Sequence, residues 1–310
     1  MTPAPATPAR AAHTPVASLA DGRLRCALAS AARGDGLIGT APPATTFLAI
    51  EVPGPWSANA LRSSRAASAA TVDLARRVSA AGGRAVAIRH PHRRGGDARA
   101  WFWADCRPGH ETLRTGTVGD DEELRGLRLD GTDGEPDEEP LWLCCTHGTH
   151  DRCCAADGRV VFRDLDALRP GRVWESSHLG GCRFAGNVAV LPHGIYYGRV
   201  STADVPSLVS ATEHGEILAP RLRGRTAVPP AAQTALALVA RLRGLSGVNA
   251  VTVGAPVAAS DRRWQVPVDV AGDHVTATVS LDGDGDPVPL TCSAERPDRP
   301  PRWSLVDPTS

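Results

Sequence analysis

Five of the eight cysteines in this 310-residue chain lie in two short segments, and this clustering constrains the fold more than any other feature. The first segment, CCTHGTHDRCC, covers residues 144–154, and the second, SHLGGCRFAGN, covers residues 177–187. Thiols and imidazoles are the ligands that soft metals prefer, so their concentration indicates a metal or redox centre. The other three cysteines, Cys26, Cys106 and Cys292, stand alone in the sequence, and we expect them to be ordinary semi-buried residues.

The charge balance and the hydropathy of the chain exclude several classes of protein. Lys and Arg together number 34, as do Asp and Glu, so no overall positive field would attract nucleic acid. No run approaches about 18 consecutive apolar residues, and residues 1–20 lack the pattern of a signal peptide. We therefore expect a cytoplasmic protein without nucleic-acid or membrane partners, whose reduced thiols serve metal or redox chemistry.

The length and the distribution of helix breakers predict four parts. Residues 1–22 are rich in Pro and Ala and are predicted to be a disordered tail. Residues 23–138 alternate strand and helix patterns and predict an N-terminal α/β domain, which ends at the acidic segment GTDGEPDEEP. Residues 139–225 carry both cysteine segments in a second α/β domain, and residues 226–310 predict a small α+β module.

The local pattern around the cysteines places them at strand and helix ends. The apolar run LWLCC predicts a buried strand that ends at Cys145, and Asp151 can cap a helix that begins with Cys153 and Cys154. Adjacent strand residues point to opposite faces of a sheet. We therefore expect one member of each vicinal cysteine pair to be a ligand.

Spacing alone leaves the chemistry of this centre open. A thioredoxin-type dithiol would need Cys-x-x-Cys, which none of these pairs provides. Three cysteines and one histidine would satisfy a tetrahedral structural zinc site, although the ligand spacing differs from the usual Cys-x2-4-Cys. A zinc-stabilised binding module therefore stays an alternative.

Three ordered motifs carry a resemblance to a known family. They are CTHGxxDxCC at residues 145–154, WExSHxGGxRFAxNV at 174–188 and LPxGxxYGR at 191–199, and a weaker match is EVPGPW at 51–56. The chain resembles the sucrase/ferredoxin-like family, whose members are similar to thioredoxin-like [2Fe-2S] ferredoxins. The resemblance implies an α/β fold in which residues 139–225 form a thioredoxin-like ferredoxin domain, preceded by a related α/β domain.

The resemblance also implies that each of the first two motifs supplies two cluster ligands. In the first motif, Cys145 matches the opening cysteine. Cys154 is the expected partner because related sequences keep a cysteine at this spacing, and Cys153 is the alternative.

In the second motif, many family members have the pattern H-x-G-G-H, with both histidines implied as ligands. His178 matches the first histidine, whereas the second position is Cys182 in this chain. His147 is the alternative ligand if Cys182 does not bind.

The function that the resemblance implies is one-electron transfer by a [2Fe-2S] cluster with three cysteine ligands and one histidine ligand. Its partner would be a ferredoxin reductase or an electron-accepting enzyme. Three thiolates and one neutral imidazole give the oxidised site a net charge of about −1, so we expect a potential between those of plant-type and bis-His clusters, dependent on pH through His178. The family label suggests a sugar-acting hydrolase as an alternative, with Glu175 as the nearest carboxylate, but an electron carrier is favoured over an enzyme.

Overall fold

The computed structural model describes residues 25–93, 98–283 and 285–309 of the chain. The predicted tail at residues 1–22 lies outside this range. The helices are α1 (Cys26–Arg33), α2 (Ala60–Ser63), α3 (Ala69–Ala80), α4 (Asp121–Gly126), α5 (Arg152–Leu168), α6 (Val205–Glu213) and α7 (Pro230–Arg243). Among the described residues, none of the helices is both long and apolar enough to span a bilayer.

Ten strands form one large sheet. They are β1 (Thr46–Glu51), β2 (Arg84–Arg89), β3 (Arg99–Asp105), β4 (Thr112–Val118), β5 (Glu135–Pro136), β6 (Leu141–Cys145), β7 (Val173–Ser176), β8 (Val188–Leu191), β9 (Ile195–Tyr197) and β10 (Leu222–Arg225). Their order across the sheet is β10-β9-β8-β6-β7-β2-β1-β3-β4-β5. The pairs β1–β2 and β6–β7 are parallel, and the other pairs are antiparallel. This mixed sheet with its helices confirms the predicted α/β class.

The large sheet is continuous across the predicted boundary at residue 138. Strand β2 from the first predicted domain pairs with β7 from the second through only two residue pairs, Ile88↔Ser176 and Arg89↔Glu175. Just beyond them, the Ser177 hydroxyl accepts a hydrogen bond from the Ala87 N–H at 3.0 Å, and the Ser177 N–H donates to the Ala87 carbonyl at 2.8 Å. The two predicted domains are therefore two halves of one sheet.

The elements of the N-terminal half form as their hydrophobic patterns predict. Helix α3 is capped by Ser68, whose hydroxyl accepts a hydrogen bond from the Thr71 N–H, and its buried face includes Leu74 and Val78. Trp101 and Trp103 alternate along β3, so they share one face of the sheet and pack in the same core as this helix. Both tryptophans are therefore packing residues.

The C-terminal part is a five-stranded antiparallel sheet covered by α7. Its strands are β11 (Thr252–Val253), β12 (Val257–Ser260), β13 (Arg263–Val270), β14 (Asp273–Asp282) and β15 (Arg302–Thr309). The apolar face of α7 packs on β13 and β14 through Leu236 and Val239. A small module of one helix and one sheet agrees with the α+β prediction for residues 226–310.

Candidate metal centre

The carboxyl ends of two parallel strands bring the two cysteine segments together. Cys145 is the last residue of β6 and lies opposite Ser176, the last residue of β7, so the loop that carries His178 leaves the sheet beside Cys145. Cys144 points to the other face, where its thiol lies 3.7 Å from the Gly158 carbonyl oxygen. The prediction that neighbouring residues of this strand face opposite ways is confirmed.

The first turn of α5 brings the second cysteine pair to the same place. The carboxylate of Asp151 caps the helix by accepting the Cys153 N–H at 2.9 Å, as the sequence predicted. Ligand atoms of Cys154, Cys182 and Asp151 lie within 4.8 Å of one another, and the Cys154 thiol also interacts with the Cys145 sulfur. The Cys153 thiol points elsewhere, to a position 3.4 Å from the Cys292 sulfur.

The loop after β7 supplies the remaining donors. The Cys182 sulfur lies 3.4 Å from Nδ1 of His178. Between them, Gly180 and Gly181 have φ values of 91° and 71°, a left-handed conformation that suits glycine. We call the group of Cys145, Cys154, His178 and Cys182 the strand-end site.

Hydrogen bonds favour the thiolate form of two of these cysteines. The pKa of the Cys182 thiol is lowered, first by the hydrogen bond from the Cys154 thiol and then by those from His150 and His178. The pKa of Cys145 is lowered by the Cys154 thiol and by the backbone N–H groups of Leu179 and His147. Because the proton of Cys154 is shared between these two acceptors, its own pKa is raised. Such sulfur atoms are prepared to act as ligands.

His150 also lies in the site. Its Nδ1 lies 3.1 Å from the Ala58 carbonyl oxygen, and its ring also hydrogen-bonds to the Cys182 sulfur, which raises the pKa of His150 to about 9. The ring centroids of His150 and His178 are 3.8 Å apart. Only the repeated histidine of the THGTH loop indicated this position in the sequence.

His147 has both ring nitrogens bound to the backbone. Its Nε2 lies 2.7 Å from the Ser57 carbonyl oxygen, and its Nδ1 accepts the His178 N–H at 3.1 Å. These contacts assign the proton to Nε2, and burial lowers the pKa of this side chain. The ring therefore holds the backbone of His178 in place.

A buried arginine lies behind the loop. Arg223 is 1% exposed and donates to the Gly180 carbonyl at 2.9 Å and to the Asn187 side chain at 2.8 Å. Within the described part of the chain, no carboxylate forms an ion pair with it. Burial lowers the pKa of Arg223 to about 10. A buried cation without an acidic partner is unfavourable unless negative charge lies nearby.

The histidines form the accessible side of the strand-end site. The three cysteines are at most 1% exposed, whereas His150 and His178 are half-buried. Both imidazoles line a pocket of about 190 Å³ together with Asn59 and Leu61. A partner molecule at this surface would meet imidazole edges before sulfur.

A second group of metal-type side chains lies on the other side of the α5 N-terminus. Ligand atoms of Cys26, Asp151, Cys153 and Cys292 all lie within 4.8 Å of one another. Cys26 and Cys292, which we expected to be ordinary semi-buried residues, meet in this group because the fold joins segments that are 266 positions apart. Cys106 belongs to none of the groups found among the described residues.

The carboxylate of Glu175 forms an ion pair with Arg89 on the neighbouring strand β2. Its Oε2 accepts from Arg89 Nε at 2.6 Å, and its side chain is 9% exposed. This ion pair joins β7 to β2 at the point where the two halves of the large sheet meet. Glu175 therefore has a structural role that accounts for its position next to the loop of His178.

Comparison with known proteins identifies similar sequences and structures. The family model described as sucrase/ferredoxin-like matches residues 37–224. The wild-type thioredoxin-like [2Fe-2S] ferredoxin from Aquifex aeolicus is 20% identical over 29% of this chain and 100% of its own, with a TM-score of 0.26. Its Cys55Ser variant is 19% identical over 28% of this chain and 100% of its own, with the same TM-score. No curated protein matches the chain.

Proposed function

Because the chain belongs to the sucrase/ferredoxin-like family, we propose that it is a one-electron carrier that holds a [2Fe-2S] cluster at the strand-end site. The observation that carries this proposal is the meeting of three buried cysteines and one histidine at the ends of β6 and β7. Cysteine thiolates with one or more imidazoles are a known ligand set for such clusters.

The residues of the site fit a cluster in charge and in hydrogen bonding. N–H groups of Leu179 and His147 point to the Cys145 sulfur, and hydrogen bonds to ligand sulfur tune the potential of a cluster. Three thiolates with one imidazole give the oxidised site about −1 charge, and one-electron reduction adds another negative charge. The buried guanidinium of Arg223, which lacks a carboxylate partner among the described residues, would offset this charge.

In this proposal Cys145, Cys154, His178 and Cys182 are the ligands. Cys153 is turned toward Cys292, and His147 has both nitrogens occupied, so neither of these alternatives is chosen. His147 positions the His178 backbone instead. The cluster would supply the one-electron change, while the protein fixes the donors and keeps solvent from the sulfur atoms.

We further propose that the redox partner docks where the imidazoles line the surface. Beside this pocket, Arg62, Arg76 and Arg84 line a second cavity, and Arg84 donates to the His178 carbonyl at 2.8 Å. A basic rim next to the imidazoles favours a partner with an acidic surface, such as a ferredoxin reductase or an electron-accepting enzyme. We place the protein in the cytoplasm, where its thiols would stay reduced.

The test is metal and sulfide analysis of the full chain purified without oxygen. We expect about two iron and two acid-labile sulfide ions per chain, as a [2Fe-2S] cluster requires, and a paramagnetic signal after one-electron reduction. The visible absorption of the cluster should be lost in each of three single variants, Cys145→Ala, Cys154→Ala and Cys182→Ala.

The matched controls are the vicinal cysteines of the same two pairs. Cys144→Ala and Cys153→Ala remove thiols that face away from the strand-end site, so both variants should keep their iron. A colourless protein that contains a single zinc ion, lost in Cys145→Ala, would show instead that the strand-end site is a zinc site.

A further inference from the structure

We propose that Cys26, Cys153, Cys292 and Asp151 form a second metal site, which binds one zinc ion and joins three distant parts of the chain. We call this group the three-thiol site. Cys26 is the first residue of α1, Asp151 and Cys153 lie at the start of α5, and Cys292 lies between β14 and β15. The three-thiol site shares no cysteine with the strand-end site, although Asp151 borders both, since its carboxylate also lies within 4.8 Å of the Cys154 and Cys182 sulfur atoms.

The spacing of the sulfur atoms is the first argument. The Cys292 sulfur lies 3.4 Å from that of Cys153 and 3.6 Å from that of Cys26. Zn–S bonds near 2.3 Å in a tetrahedron place the sulfur ligands about 3.8 Å apart. A disulfide would require about 2.05 Å and would leave the third thiol unpaired. The observed separations therefore resemble the edges of a zinc coordination shell.

The carboxylate of Asp151 completes a set of four donors. Its Oδ2 lies 3.5 Å from the Cys26 sulfur, close to the separation of about 3.5 Å that tetrahedral zinc gives one sulfur and one oxygen ligand. Oδ1 accepts the Cys153 N–H at 2.9 Å, and Oδ2 accepts the Cys292 N–H at 2.8 Å. Each carboxylate oxygen has two acceptor positions, so one remains for a metal.

Backbone donors around the sulfur atoms are the second argument. The N-terminus of helix α1 has no side-chain cap. Instead, the N–H of Cys26 donates to the Cys292 sulfur, and the N–H of Ala27 donates to the Cys153 sulfur. The Arg25 guanidinium also reaches Cys153. N–H groups directed at thiolates are typical of the surroundings of metal-bound cysteine, and they compensate the negative charge of the ligands.

The donor set selects the metal. Three soft thiolates exclude Mg²⁺ and Ca²⁺, which require oxygen ligands. Zinc accepts thiolate and carboxylate together in a tetrahedral site with four protein ligands, which is the arrangement of structural rather than catalytic zinc. On binding, each thiol releases a proton to solvent, and no change of oxidation state is involved. The inferred role is to fix α1 and the segment of Cys292 against the first turn of α5.

The experiment measures zinc and iron in the same samples of the full chain, produced with both metals in the medium. Wild-type protein should hold one zinc ion per chain after dialysis against a weak chelator. Cys26→Ala and Cys292→Ala should reduce zinc at least tenfold while iron stays unchanged. Cys106→Ala removes a thiol that is as buried as that of Cys26 but lies outside both sites, so this variant should keep both metals.

A variant of the strand-end site distinguishes the failure of this proposal from the failure of the proposed function. Cys182→Ala should lose iron and keep zinc. If the wild type contains no zinc, or if zinc is lost in Cys182→Ala and kept in Cys292→Ala, the three-thiol site does not bind zinc, whatever the iron content shows.

X-ray absorption at the zinc edge identifies the zinc ligands in the wild-type protein. This measurement is informative even if the alanine variants do not fold. We expect three sulfur atoms at about 2.3 Å and one oxygen at about 2.0 to 2.2 Å. A nitrogen shell from imidazole would contradict the proposal, because no histidine belongs to this group.

Discussion

The strand-end site and the three-thiol site share one turn of α5 but are built in different ways. The strand-end site draws its donors from residues 145–182, which leave neighbouring strand ends of one sheet, and it includes imidazoles that reach the surface. The three-thiol site joins residues 26, 151, 153 and 292, and all its nitrogen donors are backbone or arginine groups. Cys153 and Cys154 are neighbours in sequence, yet one turns to each site.

The difference indicates a division of roles. In the proposed function, the mixture of thiolate and imidazole ligands would set the net charge of the strand-end site, and the imidazoles at the surface would give a redox partner access to it. A closed set of three thiolates and a carboxylate, drawn from distant segments, instead suits a cross-link. Three measurements test whether the two sites differ in this way.

The largest effect is expected on the reduction potential when the thiolate and imidazole ligands are exchanged. Cys182→His should raise the potential, and His178→Cys should lower it, each by roughly 100 to 300 mV, because plant-type and bis-His clusters differ by several hundred millivolts. Protein-film voltammetry would measure both. Cys292→Ala is the control and should shift the potential by much less. An equal shift in Cys292→Ala would mean that the two sites do not have separate roles.

The second effect is expected on the free energy of unfolding. Zinc that binds only the folded chain stabilises it by about 4 kcal/mol at a free concentration roughly 1,000 times Kd. Chemical denaturation of the wild type with a chelator that leaves the visible spectrum intact should show a loss of this size.

Cys292→Ala provides the matched comparison for that measurement. The chelator should not change the unfolding of this variant, because its three-thiol site is already incomplete. If the chelator destabilises the variant as much as the wild type, the stabilising metal is bound elsewhere.

The smallest effect is expected at His150. Replacing it with alanine removes a hydrogen bond to the Cys182 sulfur, so the potential should fall by roughly 40 mV, equivalent to about 1 kcal/mol for one electron. His214→Ala, at the exposed end of α6, is the control. Loss of the cluster in His150→Ala, with retention in His178→Ala, would reassign the imidazole ligand.

The sequence predicts what depends on local periodicity. The run LWLCC placed Cys145 at a strand end, and strand alternation correctly separated it from Cys144. Asp151 was recognised as a cap because its position before a helical pattern is a local signal.

Contacts between distant segments account for what the sequence did not predict. Successive helical residues point about 100° apart, so Cys153 and Cys154 must diverge, but nothing local indicates that Cys26 and Cys292 meet the first of them. His150 reaches Cys182 only through the conformation of its loop. Strand β12 is exposed along its length and shows no alternation to detect. The pairing of β2 with β7 involves two residue pairs and leaves no pattern in either strand.

The sequence separation of the ligands has a consequence for the order of events during synthesis. A ribosome releases the residues of the strand-end site within one short interval, so this site can assemble while the rest of the chain is still being made. The three-thiol site must wait for Cys292, which follows Cys26 by 266 positions. A zinc ion that arrives before Cys292 has been synthesised would find an incomplete set of ligands. Zinc retention in newly made protein would thus report that the C-terminal segment has docked.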